Sequence, residues 1–545
     1  MLSALFAQAA DLPTCAGAHT LRPAAATREW SDFPAQAPAR LECTLASATA
    51  AGTLTLRQSD VKRQDWEVSV NGHKLGRLLA DEHTQVAVFS LPANLTAPAV
   101  LIIATASPAV LRDDIRIDQI ATHSLPADQW QSQSTLDIEV TNRMPVRITL
   151  TDADGTLLPH GLKTAEGIAA RTGMIYTATG SLRIPVPAGR RYTVWATRGF
   201  EYSAAKAIVT AKPGATHKVR LTLNHEVQIP NGWTSGDTHL HTLERSGHGD
   251  STVAERILSV AGEGLAWAVS TEHNRTSNFD TVPNQWFRAI PGMEITTAKG
   301  HFNAFPWPLD KPVPDVRTYA WTASLTPDMA VIWNHPRDVH SGYRPFDPSH
   351  YNGATGEGHD YPGNALEVVN SGAMYSHPLQ LAEDWMRLLK AGRQFAAIGS
   401  SDSHTVATFL AGQARTYVKG DDVAAAIRKG DTAVSYGLAA FLEQRGDGRV
   451  IASVYGPSWS RVRQLRVYAD GDLIETRDIR PQRSAGLQWQ GQIKARPAKF
   501  LVVIATGSDN PPFWPISRPY QPVSPDWQPM TLGISPALRI LERKE

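Results

Sequence analysis

Residues 237–241 have the sequence Asp-Thr-His-Leu-His and open a region in which predicted strands and helices alternate. Residues at positions i and i+2 of an extended segment lie on the same face, so His239 and His241 can chelate a cation as a pair. Further ligand-type side chains follow predicted strands downstream, as Glu272-His273, Asn334-His335 and Asp402-Ser403-His404. The carboxyl ends of parallel strands meet at one edge, where active sites assemble, so these side chains are expected to converge. Ligands of this kind, without sulfur, suit Zn, Mn, Fe or Ni.

The segments around this stretch predict a parallel sheet or barrel. A capping box of Thr252 and Glu255 marks a helix over Ser251 to Glu263. Apolar runs predict strands at 265–270, 329–333, 365–369 and 395–398, and helical spacing predicts helices at 379–390 and 421–428. Repeated strand–helix units connect parallel strands.

Alternating segments separated by turns predict β-sandwiches on both sides of this region. Trp66 to Val70, for example, precedes Asn71-Gly72, a strong hairpin dipeptide. The predicted division is a jelly-roll-like sandwich at 1–128, a second sandwich at 135–228, the strand–helix region at 230–437 and a C-terminal sandwich at 439–545. By strand pattern the first resembles galactose-binding-like jelly rolls, and the second resembles prealbumin-like and carboxypeptidase-regulatory-like domains.

Composition narrows the functional classes. A length of 545 residues fits three to four domains at about 150 residues each. The 53 Lys and Arg residues balance 52 Asp and Glu residues, so no net field favours nucleic acid or an anionic membrane. No apolar run approaches the length of a bilayer-spanning helix. The sequence predicts a multidomain globular protein with no nucleic-acid partner and no membrane span.

The N-terminal segment predicts export. Ala7-Gln8-Ala9 has the small-x-small form of a signal-peptidase site after a short apolar run, which suggests the remainder of a secretory signal. The two cysteines, Cys15 and Cys43, could then form a disulfide in an oxidising compartment. A periplasmic or secreted location is therefore expected; the alternative is an ordinary N-terminus in a cytoplasmic protein.

Seven motifs in this region resemble those of a known enzyme family. They are Asp-x-His-x-His at 237–241, Thr-Glu-His-Asn at 271–274, Pro-Gly-Met-Glu at 291–294, Gly-His at 300–301, Asn-His-Pro at 334–336, Leu-Glu-Val-Val-Asn at 366–370 and Ser-Asp-Ser-His at 401–404. Their order is similar to that of the polymerase and histidinol phosphatase (PHP) metal-dependent phosphoesterases, in particular the CehA/McbA-type branch with flanking β domains. The resemblance covers about 232–437. It implies a distorted (β/α)7 TIM-like barrel that holds two or three divalent ions of Zn, Mn or Fe.

The resemblance also implies a ligand set, with Glu294 as a bridge between two metals. The ligands carried over are His239, His241, His273, Glu294, His301, His335, Asp402 and His404. The chain has Glu272 where the family usually has Asp, which leaves the role of this acid open. The segment after His241 is longer than the common pattern, so the remaining early ligand is His248, favoured by spacing, or Asp250.

Other polar residues are expected near the centre. Asp237 and Asn334 are predicted to orient the ligand imidazoles, and Glu367 is expected to be either a structural hydrogen-bond partner or a catalytic residue. Arg275, Arg337 and Lys299 follow or adjoin ligand positions and could hold an anionic oxygen; the alternative is a solvated rim charge. Surface or capping roles are expected for His340, His350, His359 and His377.

Two other protein classes share some of these features. The amidohydrolases also begin with His-x-His, but their last barrel strand normally offers a solitary Asp, whereas this chain has Asp402 and His404 together with Glu294. A carbohydrate- or surface-binding protein with a structural metal site is the alternative outside enzymes, with glycan bound through the N-terminal sandwich.

The sequence thus predicts a metal-dependent hydrolase whose nucleophile is a metal-bound hydroxide. Asp402, His404, Glu294, Arg275 and Arg337 are the expected catalytic residues. A small-molecule phosphoester is the expected substrate because clustered cations match phosphoryl charge. A carbamate, ester or amide cleaved on the same centre is the alternative.

Overall fold

The computed structural model describes residues 12–62, 65–107, 111–279, 282–298, 300–337, 362–371, 378–481, 484–493, 498–516, 525 and 528–540. The chain forms two compact units. The first comprises Met1–Arg143, Ile148–Ala196 and Ala205–Thr222, and the second comprises Met144–Arg147, Thr197–Ala204 and Leu223–Glu545. The proposed export segment at residues 1–11 and the predicted site residue Lys299 lie outside the described residues, as do His340, His350, His359 and His377.

The N-terminal part of the chain is built of short strands and one helical turn. They are β1 (His19–Leu21), β2 (Arg40–Leu45), β3 (Thr53–Ser59), β4 (Trp66–Val70), β5 (His73–Arg77), β6 (Gln85–Ser90), β7 (Ala99–Thr105), β8 (Ile115–His123), α1 (Ala127–Trp130), β9 (Ser134–Val140), β10 (Val146–Thr151), β11 (Ile168–Arg171), β12 (Met174–Thr177), β13 (Ser181–Val186), β14 (Arg191–Thr197), β15 (Ala205–Thr210) and β16 (Thr216–Leu221). Their sheet orders are β1-β8-β3-β6, β2-β7-β4-β5, β11-β12-β10-β14-β15 and β13-β9-β16.

The first two sheets enclose one apolar core, as a sandwich requires. Every second residue of β4 is buried, and Trp66 packs in a cluster with residues from both sheets. The predicted hairpin is confirmed, since β4 and β5 pair in antiparallel fashion. Asn71 and Gly72 both have positive φ, at 48° and 78°, as a type I′ turn requires. Cys15 and Cys43 form the expected disulfide.

A buried histidine should make the first unit sensitive to acid. Burial lowers the pKa of His160 from 6.5 to about 4, although a hydrogen bond between its Nε2 and the Arg171 carbonyl oxygen, at 2.9 Å, acts in the opposite direction. Because the folded state binds this proton less readily than the unfolded state, the stabilisation is fully present above pH 6.5. It is then lost as the pH falls towards about 4.

We therefore expect unfolding free energy to fall by about 2 kcal/mol more in the wild type than in His160→Gln between pH 8 and pH 5. Glutamine can keep the N–H donor towards Arg171 but does not titrate. The measurement is urea unfolding of both proteins at the two pH values. Amide hydrogen exchange in peptides from β11 to β14 reports the unfolding of the first unit. Equal losses in both proteins would show that His160 does not carry this acid sensitivity.

The second unit combines strands and helices. Its elements are β17 (Trp233–Asp237), α2 (Leu243–Ser246), α3 (Val253–Gly262), β18 (Trp267–Ser270), β19 (Arg288–Pro291), β20 (Met293–Thr297), β21 (Gly300–Phe305), a 3₁₀ helix (Tyr319–Ser324), β22 (Ala330–Trp333), β23 (Ala365–Asn370), α4 (Pro378–Lys390), β24 (Ala396–Ser400), β25 (Arg415–Lys419), α5 (Val423–Lys429), β26 (Thr432–Tyr436), β27 (Ala439–Gln444), β28 (Val450–Gly456), β29 (Gln464–Ala469), β30 (Asp472–Asp478), β31 (Gly486–Ile493), β32 (Phe500–Gly507), β33 (Thr531–Ile534) and β34 (Leu538–Arg539).

Helices occur at all three predicted places, as α3, α4 and α5, whereas the short helices α1 and α2 were not predicted. The capping box at Thr252 is present: its side chain accepts from the Glu255 backbone N–H, and the Glu255 carboxylate accepts from the Thr252 backbone N–H. The Asp422 side chain caps α5 through Ala425 N–H, and Gly430 ends that helix with a φ of 79°. None of the helices in the described part of the chain has the length and apolarity needed to span a membrane.

The strands of the predicted distorted (β/α)7 barrel lie in two sheets. One runs β19-β18-β17-β25-β26-β33-β32-β29-β30, with β34 pairing β32, and the other runs β20-β21-β22-β23-β24. Parallel pairing occurs at β17-β18-β19 and at β22-β23-β24, as predicted, but β20, β21 and β22 pair in antiparallel fashion. Thr297 ends β20 and Gly300 begins β21, and so short a connection cannot hold the crossover of about a dozen residues that parallel neighbours need. A closed (β/α)7 barrel is therefore not shown by the described residues.

Apolar contacts hold these two sheets together. Trp267, Ile332 and Ile398 belong to one buried cluster with residues from both sheets. The long sheet also continues past the predicted boundary at 437–439, because β26 pairs with β33 near the C-terminus. The division into four domains stays a prediction.

Candidate metal centre

Eight side chains of metal-ligand type converge in the second unit. They form four overlapping groups in which the ligand atoms lie within 4.8 Å of one another: His241, His273 and His404; His239, His241 and Glu294; His239, His335 and Asp402; and Glu294, His301 and His335. These eight are the residues that the family resemblance implies as ligands. They come from six separate stretches of sequence, so only the folded chain brings them together.

Strand ends account for the convergence. His239 and His241 follow β17, His273 follows β18, His335 follows β22, and Asp402 and His404 follow β24. Glu294 and His301 lie within β20 and β21 instead, because these strands form the antiparallel hairpin. Asn274, His335 and Asp402 have positive φ values of 48°, 28° and 51°. Non-glycine residues in this conformation concentrate at functional sites, where the surrounding structure stabilises them.

The ring nitrogens are arranged for coordination. His239 Nδ1 lies 2.7 Å from Glu367 Oε1, His241 Nδ1 lies 2.9 Å from Ser246 Oγ, and His404 Nδ1 lies 3.0 Å from the Asp402 carbonyl oxygen. The Nε2 atoms of the same three histidines are buried and have no hydrogen-bond partner among the described residues. An imidazole with one nitrogen held by an outer partner and the other unsatisfied and buried is the form that binds a cation.

The carboxylates lie among these nitrogens. Asp402 Oδ1 is 3.2 Å from His239 Nε2 and also 3.2 Å from His241 Nε2. Glu294 has one oxygen 2.5 Å from His273 Nδ1 and the other 3.1 Å from His301 Nδ1, and its side chain is fully buried. Its two oxygens therefore face different groups of histidines, as a bridging ligand requires. The donor set of imidazole and carboxylate fits a cluster of divalent cations such as Zn, Mn or Fe.

Charge interactions set the protonation of these groups. Burial raises the pKa of Glu294, but His273, His301 and His239 together hold it well below its usual value. Burial lowers the pKa of His404 to about 4, and burial together with His404 lowers the pKa of His241 well below its usual value. The site thus offers ionised carboxylates beside two neutral imidazoles, those of His241 and His404, at neutral pH. Burial also lowers the pKa of His335 and His239, but the neighbouring carboxylates outweigh it, raising the pKa of His335 to about 9 and that of His239 well above its usual value, so a cation bound there displaces protons.

Glu367 supports the ligands from behind, in the position expected from the sequence. It accepts hydrogen bonds from His239 Nδ1 and, at 2.6 Å, from the His335 backbone N–H. Asn370 Nδ2, at 2.7 Å, and the Ser400 hydroxyl also donate to it. One buried carboxylate therefore orients a ligand ring and fixes the backbone of a second ligand.

Asp237 and Asn334 have contacts other than the imidazole contacts expected for them. The Asp237 carboxylate accepts from the backbone N–H groups of His239 at 3.0 Å and Gly412 at 2.7 Å, and from the Ser401 side chain at 2.5 Å. Asp237 therefore fixes backbone segments rather than an imidazole, because its side chain at the end of β17 points towards these loop amides. Asn334 Nδ2 donates to Glu294 Oε1 at 3.0 Å, so this amide orients a carboxylate.

Of the two arginines predicted to bind an anionic oxygen, Arg275 is exposed and Arg337 is engaged in an ion pair. Arg275 is exposed next to His273 and Asn274. Arg337 instead forms an ion pair with Asp384 on α4, at 2.5 Å, and Asp384 is almost fully buried. This ion pair with a buried carboxylate indicates a structural role for Arg337. The sequence could not show it, because Asp384 lies 47 residues away along the chain.

The two candidates for the remaining early ligand are also placed. Asp250 accepts a hydrogen bond from the Val406 backbone N–H at 2.8 Å and so stabilises the loop after β24. His248 is exposed, and its ring lies 4.4 Å from that of His404 and 5.0 Å from that of His273, measured between centroids. It belongs to none of the four ligand groups found among the described residues. His248 as a ligand stays a prediction.

Sequence reasoning missed several supporting residues. Thr296 Oγ1 lies 2.8 Å from His273 Nδ1, and Ser246 contacts His241. Arg256 on α3 is fully buried and donates to the His241 carbonyl oxygen at 3.0 Å and to the Ser403 carbonyl oxygen at 2.8 Å. The sequence did contain a signal for Arg256, since it is a charged residue among the apolar positions of α3. An arginine buried on that face must have hydrogen-bond acceptors nearby.

Comparisons with known proteins give distant likenesses. No family model matches the chain, and no curated protein matches it. A two-domain protein from Bacteroides vulgatus ATCC 8482 that contains a predicted PHP-like metal-dependent phosphoesterase is 18% identical, with a TM-score of 0.32, over 57% of this chain and 98% of that chain.

Two glycosidases are also among the similar structures. A Faecalibacterium prausnitzii β-glucuronidase is 12% identical, with a TM-score of 0.15, over 43% of this chain and 46% of that chain, so the match spans about half of the glucuronidase. The exo-β-D-glucosaminidase CsxA is 7% identical, with a TM-score of 0.22, over 86% of this chain and 74% of that chain. At these scores the likenesses support no inference about activity.

Proposed function

We propose that this protein is a metal-dependent hydrolase and that its substrate is a small-molecule phosphoester. The observation that carries the proposal is the convergence of eight ligand-type side chains in which buried ring nitrogens face buried carboxylate oxygens. Such a cluster is costly to bury unless cations compensate the charge and satisfy the nitrogens.

The proposed ligands are the eight side chains of the four groups. Bound cations would lower the pKa of a coordinated water and neutralise charge that develops on substrate oxygens. The chain's own residues hold the geometry: Glu367 orients His239, Asn334 orients Glu294, and Asp237 fixes the backbone between the first and last ligand strands. Arg275, exposed beside His273, is the proposed contact for an anionic substrate oxygen.

Metal removal tests the proposal. We expect the purified protein to carry two or three equivalents of Zn, Mn or Fe, to lose hydrolysis of an aryl phosphoester on chelation, and to regain it when one of these metals is restored. Metal content is measured by elemental analysis, and hydrolysis is measured as turnover of the aryl phosphoester. Both are determined before chelation, after chelation and after the metal is restored. A protein that loads none of the three metals would contradict the proposal.

A substrate panel separates phosphoester cleavage from the carbonyl chemistry that the same centre could perform. Aryl carbamate, ester and amide turnover with no phosphoester turnover would replace the phosphatase assignment by a carbonyl hydrolase. Glycan binding that persists in metal-free protein, with no hydrolysis after reloading, would favour a binding protein that recognises glycans through its N-terminal sandwich.

We also propose export to the periplasm or the exterior. The disulfide between Cys15 and Cys43 supports this proposal, because such bonds persist in oxidising compartments. Alkylation of free thiols in fractions of the source cell tests it. Reduced cysteines in a cytoplasmic fraction would contradict it.

A further inference from the structure

A chain of hydrogen bonds runs from the ligand His241 to a buried acid. His241 Nδ1 lies 2.9 Å from Ser246 Oγ, and Ser246 Oγ lies 2.6 Å from Glu272 Oε2. His241 and Glu272 are both fully buried, and Ser246 ends the short helix α2. No hydrogen bond between the histidine and the acid occurs in the described part of the chain, so the serine hydroxyl connects them.

The hydroxyl has one proton, and this fixes the direction of both bonds. An ionised carboxylate only accepts, so the Ser246 proton points to Glu272. The Ser246 oxygen can then only accept from His241, which requires the proton of the neutral imidazole to be on Nδ1. His241 Nε2 is left bare, 3.2 Å from Asp402 Oδ1 and 3.7 Å from Glu294 Oε2.

Two further contacts hold the acid in place. The Thr242 backbone N–H donates to Glu272 Oε2 at 3.1 Å, and the Thr242 hydroxyl donates to Glu272 Oε1 at 2.7 Å. Glu272 thus ties residues 242–246 to the end of β18, and its length brings an oxygen to Ser246. An aspartate at this position would be one carbon shorter.

We propose that Ser246 and Glu272 are positioning residues that hold His241 in the Nδ1–H tautomer, with Nε2 directed at the cation. This inference rests on the proposed function, since it concerns a ligand of the proposed centre. It differs from the direct carboxylate contact of His239 with Glu367, because here a serine hydroxyl transmits the orientation. Outer partners of ligating histidines typically raise metal affinity by about 10–100-fold.

The first test compares Ser246→Ala with the matched variant Thr242→Val. Both lose a hydroxyl that donates to Glu272, but only the first breaks the contact with His241. We expect zinc affinity, measured by chelator competition, to fall about 10–100-fold in Ser246→Ala. Thr242→Val, which keeps the Ser246 contacts with His241 and Glu272, should lose less zinc affinity than Ser246→Ala, and Ser246→Thr, which keeps the hydroxyl, should retain most of the wild-type affinity. Equal zinc affinity in Ser246→Ala and the wild type would overturn the proposal.

The second test needs neither metal nor activity. In metal-free protein with ¹⁵N-labelled histidine, the ring-nitrogen shifts of His241 should show a protonated Nδ1 and a bare Nε2. Ser246→Ala should show a mixture of the two tautomers. A proton on Nε2 in the wild type would overturn the proposal even if zinc binds. A wild type that shows the expected tautomer but binds none of Zn, Mn or Fe would instead contradict the proposed function.

Discussion

The His239→Ala variant is expected to lose bound metal and hydrolysis together while it keeps its fold. His239 belongs to two of the four ligand groups, and its Nε2 lies 3.2 Å from Asp402 and 3.3 Å from Glu294. Loss of an outer partner alone costs about 10–100-fold in metal affinity or activity, so loss of a ligand should exceed about 100-fold. Elemental analysis, turnover with reloaded metal and circular dichroism measure the three properties.

The fold should persist because Glu367, the partner of His239, keeps its other donors at His335 and Asn370. His73→Ala is the matched control, since this histidine is exposed on the first unit. Asp402→Ala should behave like His239→Ala. Full activity with full metal content in His239→Ala would remove this residue from the centre.

The Arg256→Met variant is expected to lose about 3–6 kcal/mol of unfolding free energy, because two buried acceptors lose their charged donor and each such hydrogen bond contributes about 1.5–3 kcal/mol. Arg256 is fully buried and donates to the His241 carbonyl oxygen and to both Ser403 Oγ and the Ser403 carbonyl oxygen. Methionine fills a similar volume but cannot donate to the His241 carbonyl oxygen or to Ser403 Oγ, whereas the Ser403 carbonyl oxygen keeps the His241 backbone N–H as a donor at 3.1 Å. Because these acceptors lie beside His241 and between Asp402 and His404, metal affinity should fall as well.

Urea unfolding of the metal-free protein, with amide exchange in peptides that contain His241 and His404, measures the loss. Arg288→Met, which replaces an exposed arginine in β19, is the control and should change stability little. A loss below about 1 kcal/mol would show that solvent or neighbouring groups satisfy these acceptors when Arg256 is absent.

Local patterns determined much of this chain. Alternation over Trp66 to Val70 with Asn71-Gly72 predicted a hairpin, and Thr252 with Glu255 predicted a helix start, because both signals act between residues close in sequence. Six of the eight ligand-type residues were identifiable because they follow predicted strands, whereas Glu294 and His301 were expected only from the family resemblance. Seven ordered motifs supplied the expectation that they meet.

Only the tertiary structure decided how these elements combine. The tertiary structure pairs β20 with β21 in antiparallel fashion and extends the long sheet from β26 to β33, and the strand pattern predicted neither pairing. It also decided the outer partners: Asp384 pairs with Arg337, and Ser246 and Glu272 support His241. A side chain's residue type sets which partners it can take, whereas its actual partner depends on which of many distant groups the packed chain brings within about 3 Å.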